Sequence, residues 1–448
     1  MKKLFVKTIL LFTLFKIWTL WAQSPSDNWP SFRGNNASGV SNTVTPIMWD
    51  IEHLINIKYK VPIPGLAHSC PVIWDDKLFI TTAISEDGNA DIKTGMFGDI
   101  QPIENNSIQE WVVYCLDKNT GKVLWKKTAH RGIPKIKRHP KSTHANSTPA
   151  TDGSHVVAFF GSEGLYCYDM DGNLIWKNDF GVLNAAFYRA PDAQWGFASS
   201  PIIHDGVVII QSDVLEDSFI GAYDVTNGKE LWRTLRSDVP TWCTPSIYHY
   251  NNSTRIAVNG YQFIAGYDFK TGDEIWHMAE GGDIPVPTPV IWNDLLFFTS
   301  GHGKLMPIYA LKSSATGDIS LAEGESTNAY IPWSVKRDGA YIPTPIVSGD
   351  HLYRLQDRGD FTCFRVDDGK VIYSQRLEGD GWFIASPVAS KNAIYCVVET
   401  GKVFVIRPGI DFELTATNAL GDNCLATPAI SNGVIYFRTQ NYLISVSE

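Results

Sequence analysis

The chain has 448 residues, 44% of them hydrophobic and 12% aromatic, with 36 glycines and 15 tryptophans. That composition can bury a large core and excludes a disordered chain. The net charge of −9 argues against a nucleic-acid-binding surface.

Residues 1–22 read as a secretory signal peptide. Lys2 and Lys3 precede an apolar stretch, and the small residue Ala22 stands at the expected cleavage point. Lys16 interrupts the stretch, which is too short to span a bilayer comfortably, and no later segment reaches transmembrane length. The mature chain is therefore expected to be periplasmic or secreted. No cysteine near the boundary offers a lipid attachment site. Residues 23–54 are an N-terminal extension, and 55–448 form a single repeat domain.

The repeat is marked by a proline that follows a small or polar residue and opens an apolar run. The eight prolines are Pro71, Pro149, Pro201, Pro245, Pro289, Pro345, Pro387 and Pro428. Most are about 41 to 56 residues apart, near the period of a four-stranded propeller blade. Each unit continues through a turn, a second β-rich run such as KLFITTAI, a third such as VVYCLD or IGAYD, a glycine turn, and a last run such as NGKELW. Short Val-, Ile-, Tyr- and Phe-rich segments between Gly, Asp and Asn turns are antiparallel strands joined by hairpins.

In the last run a large residue stands four after the turn glycine: Gly121/Trp125, Gly172/Trp176, Gly228/Trp232, Gly272/Trp276, Gly317/Leu321 and Gly369/Tyr373. A ring there is placed to pack across to the neighbouring blade, because a blade cannot bury its faces alone. The final unit supplies only three strands. The segment 55–63, with Tyr59 in the place of the tryptophan, supplies the fourth and closes the ring. The expected fold is all-β: an eight-bladed β-propeller of four-stranded antiparallel blades. It becomes seven-bladed if the weak fifth unit is irregular.

Repeats of the form AYDVTNGKELW resemble pyrroloquinoline-quinone (PQQ) repeats. The opening NWPSFRGNNASGV (28–40) resembles a segment found just after the signal peptide in secreted bacterial PQQ-repeat propellers. The resemblance covers nearly all of the mature chain. The family contains quinoprotein dehydrogenases and the propeller lipoprotein of outer-membrane barrel assembly, so it implies a fold rather than one activity.

Function is expected on the face carrying the long connections, 85–110, 129–146, 180–198 and 322–342. The turns on the other face are short. Acids precede most blades: Asp192, Asp238, Asp283, Asp338, Asp380 and Asp422. They suit either a cation or ligand ring or the capping of recurrent loop bends. The aromatics Trp195, Phe197, Trp242, Tyr341, Trp382 and Phe383 suit either a ligand-stacking funnel or a plug. The basic stretch 129–144, which includes His139 and His144, suits a solvated loop or an anion site. The candidate ligand-binding set is Trp195, Trp242, Tyr341, Trp382, Asp238, Asp283, Asp380, Asp422 and His144.

No catalytic residue and no metal ligand set is assigned. The seven cysteines, Cys70, Cys115, Cys167, Cys243, Cys363, Cys396 and Cys424, include no adjacent pair and no CxxC. Most read as small buried apolar residues. Two functions follow. One is a non-enzymatic module that binds a protein, peptide or glycan on the long-loop face. The other, implied by the resemblance, is a PQQ- and calcium-dependent oxidoreductase acting on an alcohol or sugar. For that enzyme Trp195, Trp242 or Trp382 would form the cofactor floor, and Asp238, Asp283, Asp380 or Asp422 would be the base.

Overall fold

The computed structural model of the chain describes residues 27–88, 92–95, 101–104 and 106–448. The expected signal peptide lies outside them. Eight four-stranded antiparallel sheets follow one another as the blades of a β-propeller. Blade 1 runs Val72–Trp74, Lys77–Ser85, Gln109–Asp117 and Val123–Gly132. Blades 2 to 7 repeat that order up to Leu414–Ala419. Blade 8 takes its inner three strands from Ala429–Ser431, Val434–Arg438 and Tyr442–Val446. Its outer strand is Ile57–Pro62 from the other end of the chain. Tyr59 pairs with Ser445 and Val61 with Leu443, so the ring closes through the two ends of the described chain and blade 8 has its fourth strand.

The inner two strands of most blades are largely apolar and buried, as in Leu78–Phe79–Ile80 and Ile394–Tyr395–Cys396; blade 4, with Ser253–Thr254–Arg255 part-exposed, is more polar. The outer strands alternate, as in Glu230–Leu235, where Leu231, Arg233 and Leu235 are exposed and Trp232 and Thr234 between them are not. Neighbouring blades bury their faces against each other, and the rings of the outer strands join them. Trp125 Nε1 donates to the Met170 carbonyl (3.0 Å), Trp176 to Val225 (2.7 Å) and Trp232 to Phe269 (3.0 Å), each in the next blade. Tyr59 repeats the contact across the closure, its hydroxyl donating to the Lys118 carbonyl (3.1 Å).

The turn glycines explain the spacing. Gly172, Gly228 and Gly272 each lie flat on the ring of the preceding blade with φ between +72 and +81. A Cβ on Gly228 would meet Trp176 at 2.6 Å, so both the turn and the contact require glycine.

Blade 5 departs from the expectation. Its outer strand is Trp333–Val335 and not the segment around Leu321. Trp333 is the ring that reaches the next blade, donating to the Val366 carbonyl (2.7 Å) over Gly369. Residues 313–332 are an insertion between the third and fourth strands of this blade. Gly317–Asp318, part of that insertion, adds a fifth strand in parallel to blade 4 at Trp276–His277. Trp276 is the exception among the tryptophans. It is fully buried, packs edge-on against Phe298 of blade 5, and donates to the Tyr248 hydroxyl of its own blade (2.7 Å). The insertion also corrects the loop count. Residues 322–332 belong to the face with the otherwise short turns, and only 336–342 belong to the long-loop face.

All seven cysteines are buried free thiols. Among the described residues there is no helix long and apolar enough to cross a membrane.

Candidate functional site

The first strand of every blade starts at the propeller axis, so the blade prolines bring eight equivalent residues together. The residue before each proline is Cys70, Thr148, Ser200, Thr244, Thr288, Thr344, Ser386 or Thr427. These form a closed hydrogen-bonded belt. The Cys70 N–H donates to Thr148 Oγ1 (3.0 Å), Thr148 N–H to Ser200 Oγ (2.9 Å) and Ser200 N–H to Thr244 Oγ1 (3.0 Å). Thr244 N–H continues to Thr288 Oγ1 (3.3 Å), Thr288 N–H to Thr344 Oγ1 (3.0 Å), Thr344 N–H to Ser386 Oγ (2.9 Å) and Ser386 N–H to Thr427 Oγ1 (3.0 Å). The backbone of Thr427 completes the circuit at the Cys70 thiol. Cys70 thus occupies the one place in the belt where a hydroxyl is replaced by sulfur.

Two residues earlier the extended chain again faces the axis, as a period of two requires. That tier is His68, Asn146, Ala198, Trp242, Val286, Ile342, Ile384 and Leu425. With the belt residues other than Thr288 it lines an axial cavity of about 210 Å³, completed by His139, Lys141, Trp195 and Tyr341.

One end of the axis is sealed by the N-terminal extension. Trp29 pairs with Ile73 of blade 1, and Trp49 Nε1 donates to the Ala419 carbonyl of blade 7 (3.1 Å). Between them Phe32 forms the cavity floor. Arg33 is fully buried, and its five N–H groups all go to carbonyl oxygens: Ala37, Thr344, Pro387, Ser38 and Pro345. Among the described residues no carboxylate pairs with it, and burial lowers its basicity to about 9. The extension crosses the face of short turns, so the sealed end lies opposite the long loops.

At the other end the hairpin formed by Ala186–Phe187 and Ala190–Gln194 joins the cavity's aromatic wall. Phe187 packs with Trp242, Ile284 and Tyr341, and with Trp195 at 6.4 Å. Tyr188 packs against Tyr261 with the rings tilted and their centroids 5.1 Å apart.

The structure brings together three of the nine candidate residues, Trp195, Trp242 and Tyr341, in the cavity wall. The acids stand away from it and hold loops. Asp238 accepts the N–H groups of Val239 (2.9 Å), Tyr261 (3.2 Å) and Gln262 (3.2 Å) and pairs with Arg236 (3.2 Å). Burial, reinforced by the neighbouring Asp213 charge, raises its carboxyl to about 7. Asp283 accepts from the Tyr188 hydroxyl (3.2 Å) and pairs with Arg189 (3.4 Å), which ties down the hairpin. Asp380 accepts from Thr400 Oγ1 (2.8 Å), and Asp422 from Thr439 Oγ1 (2.8 Å) and the Asn441 N–H (2.8 Å). Trp382 lies under the guanidinium of Arg358 at 5.2 Å rather than in the cavity wall. The His144 ring packs on Trp111 at 6.0 Å, and burial pushes its pKa down to about 3.

The basic stretch divides in two: Arg131, Lys135 and Lys137 are exposed, while its later part is built into the protein. Arg138, His139 and Lys141 are buried. Lys141 Nζ pairs with the buried Glu399 at 2.7 Å. Glu399 also accepts the N–H groups of Gly95 (2.9 Å) and Trp382 (3.1 Å), joining three loops at one carboxylate. His68 donates from Nε2 to the Lys141 carbonyl (2.7 Å), and burial lowers its pKa to about 4, so it is neutral.

Apart from Trp242, the two tiers were missed from the sequence, although the signal was present. Aligned on the prolines, the preceding residue reads C, T, S, T, T, T, S, T.

Fold and axial site together define a PQQ-type repeat propeller. Residues 109–333 match the family model described as outer membrane protein assembly factor BamB, and the chain belongs to that family. Comparison with curated proteins finds no match. Among solved structures the chain is similar to BamB from Moraxella catarrhalis, with a TM-score of 0.54 and 13% identity over 82% of this chain and 98% of that one. It is also similar to the quinohemoprotein alcohol dehydrogenase from Comamonas testosteroni, with a TM-score of 0.64 and 13% identity over 94% of this chain and 80% of that one. A europium-containing methanol dehydrogenase aligns with a TM-score of 0.60 and 11% identity over 94% of this chain and 89% of that one. At these identities the likeness is one of fold.

The residues do not fit a calcium-bound quinone. Among the described residues no three His, Cys, Asp or Glu side chains converge as a metal ligand set. Glu399, beside the cavity, is engaged with Lys141 and two backbone N–H groups.

Proposed function

We propose that this chain is a periplasmic or secreted, non-enzymatic binding or scaffold module that engages a protein, peptide or glycan through its long-loop face. The observation that carries the reading is the asymmetry of the axis. Phe32 and Arg33 close one end, while the aromatic wall and the hairpin 186–194 stand at the other. A partner therefore meets built, loop-stabilised surface on one side only. The BamB description of the family gives a precedent in protein assembly. The basic and apolar start of the sequence supports export, with residues 1–22 removed. Against the PQQ-dependent oxidoreductase stands the mismatch of donor groups just described.

The test is a pair of measurements on purified protein. PQQ and calcium are added and removed by desalting, and dye reduction is followed with alcohols and sugars. In parallel, glycan-array and pull-down binding is compared with that of a variant whose hairpin 186–194 is replaced by a short Gly-Ser turn. The expected result is no retained quinone and no turnover, with binding lost in the hairpin variant. Retained quinone with turnover would reverse the reading.

A further inference from the structure

The belt leaves its hydroxyl protons unspent. Each belt oxygen accepts an N–H from the preceding blade, yet Ser200, Thr244, Thr344 and Ser386 donate to no acceptor among the described residues. Cut off from solvent, Trp195 Nε1 likewise has no acceptor there. The axial cavity is thus rich in donors. Directly beneath Thr344 and Ser386 lies the Arg33 guanidinium, bonded to the carbonyls of Thr344, Pro345 and Pro387. Among the described residues its positive charge is held by carbonyl dipoles, with no carboxylate to cancel it. Lys141, which lines the wall, is neutralised by Glu399, and His68 is uncharged. Arg138, buried behind His139 and Ser142 of the wall, is a second guanidinium bonded only to carbonyls among the described residues. The site therefore carries net positive charge in a low-dielectric setting, where it acts strongly on an anion. The wall above is aromatic, and the volume of about 210 Å³ is below the ~300–1,000 Å³ of drug-sized sites.

Resting on the reading that the long-loop side is the binding side, we propose that the axial cavity binds one small cyclic monocarboxylate. Its carboxylate accepts from the belt hydroxyls above Arg33, and its ring lies against Trp195, Trp242 and Tyr341. A polyanion is disfavoured, since the wall above the belt is mainly aromatic and aliphatic and would leave further carboxylates unpaired. A neutral ring leaves Arg33 unanswered.

The probes are benzoate, its neutral isostere benzamide, and benzene tricarboxylate, titrated by calorimetry and by quenching of tryptophan fluorescence. Benzoate is expected to bind with one-to-one stoichiometry and to quench. Benzamide and the tricarboxylate are expected to bind at least about tenfold more weakly, the share of one charge-assisted hydrogen bond. The variant Ala198→Phe, which fills the cavity from its upper tier without removing a belt hydroxyl, is expected to abolish benzoate binding while keeping the thermal transition. Benzamide binding as tightly as benzoate would overturn the proposal. So would benzoate binding that survives Ala198→Phe, or the absence of any benzoate signal. Loss of partner binding in the hairpin variant is read separately. If it persists while benzoate fails, the ligand proposal falls alone; if it fails, the reading beneath falls.

Discussion

At the level of single side chains, the belt around the axis makes Cys70 a hydroxyl position occupied by sulfur. Cys70→Ser restores the repeat, and urea unfolding is expected to place its stability within about 0.5 kcal/mol of wild type. Cys70→Val leaves the Thr427 N–H buried without an acceptor, so a loss of about 1–3 kcal/mol is expected. Equal effects would contradict the belt. His68 supplies a pH signature. Burial holds it near 4 in the folded protein, whereas an unfolded histidine titrates near ~6.5. Between those values the unfolded state binds more protons, so this residue's contribution to stability falls as pH is lowered from 6.5 towards 4. His68→Gln keeps an N–H for the Lys141 carbonyl but cannot titrate. Its loss of stability between neutral pH and pH 4.5 is expected to be about 2–3 kcal/mol smaller than that of wild type; an identical loss would show that the ring is solvated. Of the site's side chains, the aromatics Trp195, Trp242 and Tyr341 were legible in the sequence because they crowd the blade entries. The roles of the acids were not. The same residue type serves a ligand or a loop bend, and only the observed partners of Asp238, Asp380 and Asp422 show that they bind their own loops.

At the level of strands and turns, the glycine-to-ring spacing is a packing rule, and blade 5 shows where such a rule fails. The alignment of Gly317 with Leu321 followed the usual interval. An insertion of 313–332 moves the true outer strand to Trp333–Val335, and a gap in a repeat cannot be seen from spacing alone. Trp333→Ala is therefore expected to cost about 3–5 kcal/mol by loss of a buried ring, and Leu321→Ala much less; thermal denaturation of the two variants would reveal the reverse order if the insertion were misplaced. The turn glycines divide in the same way. Gly228 lies on Trp176 with φ +72, while Gly317, at φ +71, faces open space. Gly317→Ala is expected to cost only the left-handed backbone penalty of about 1 kcal/mol, and Gly228→Ala that penalty plus displacement of the indole.

For the molecule as a whole, strand content, blade number and closure by residues 55–63 could be read from the repeats, because each follows from local periodicity and an unfinished last unit. The N-terminal extension could not. NWPSFRGNNASGV has no strand period, and its meaning depends on where the chain crosses a finished ring. Only then does Phe32 become a floor and Arg33 a plug bonded to three blade-entry carbonyls. That plug makes the propeller one-sided, and the functional account depends on it. The direct measurement is photo-crosslinking in cells that export the protein, with p-benzoylphenylalanine placed at Arg189 or Trp382 on the long-loop face and at Asn119 or Asn227 on the sealed face. The account predicts discrete adducts from Arg189 and Trp382 and none from Asn119 and Asn227. Adducts from the sealed face alone, or equally from both, would contradict it.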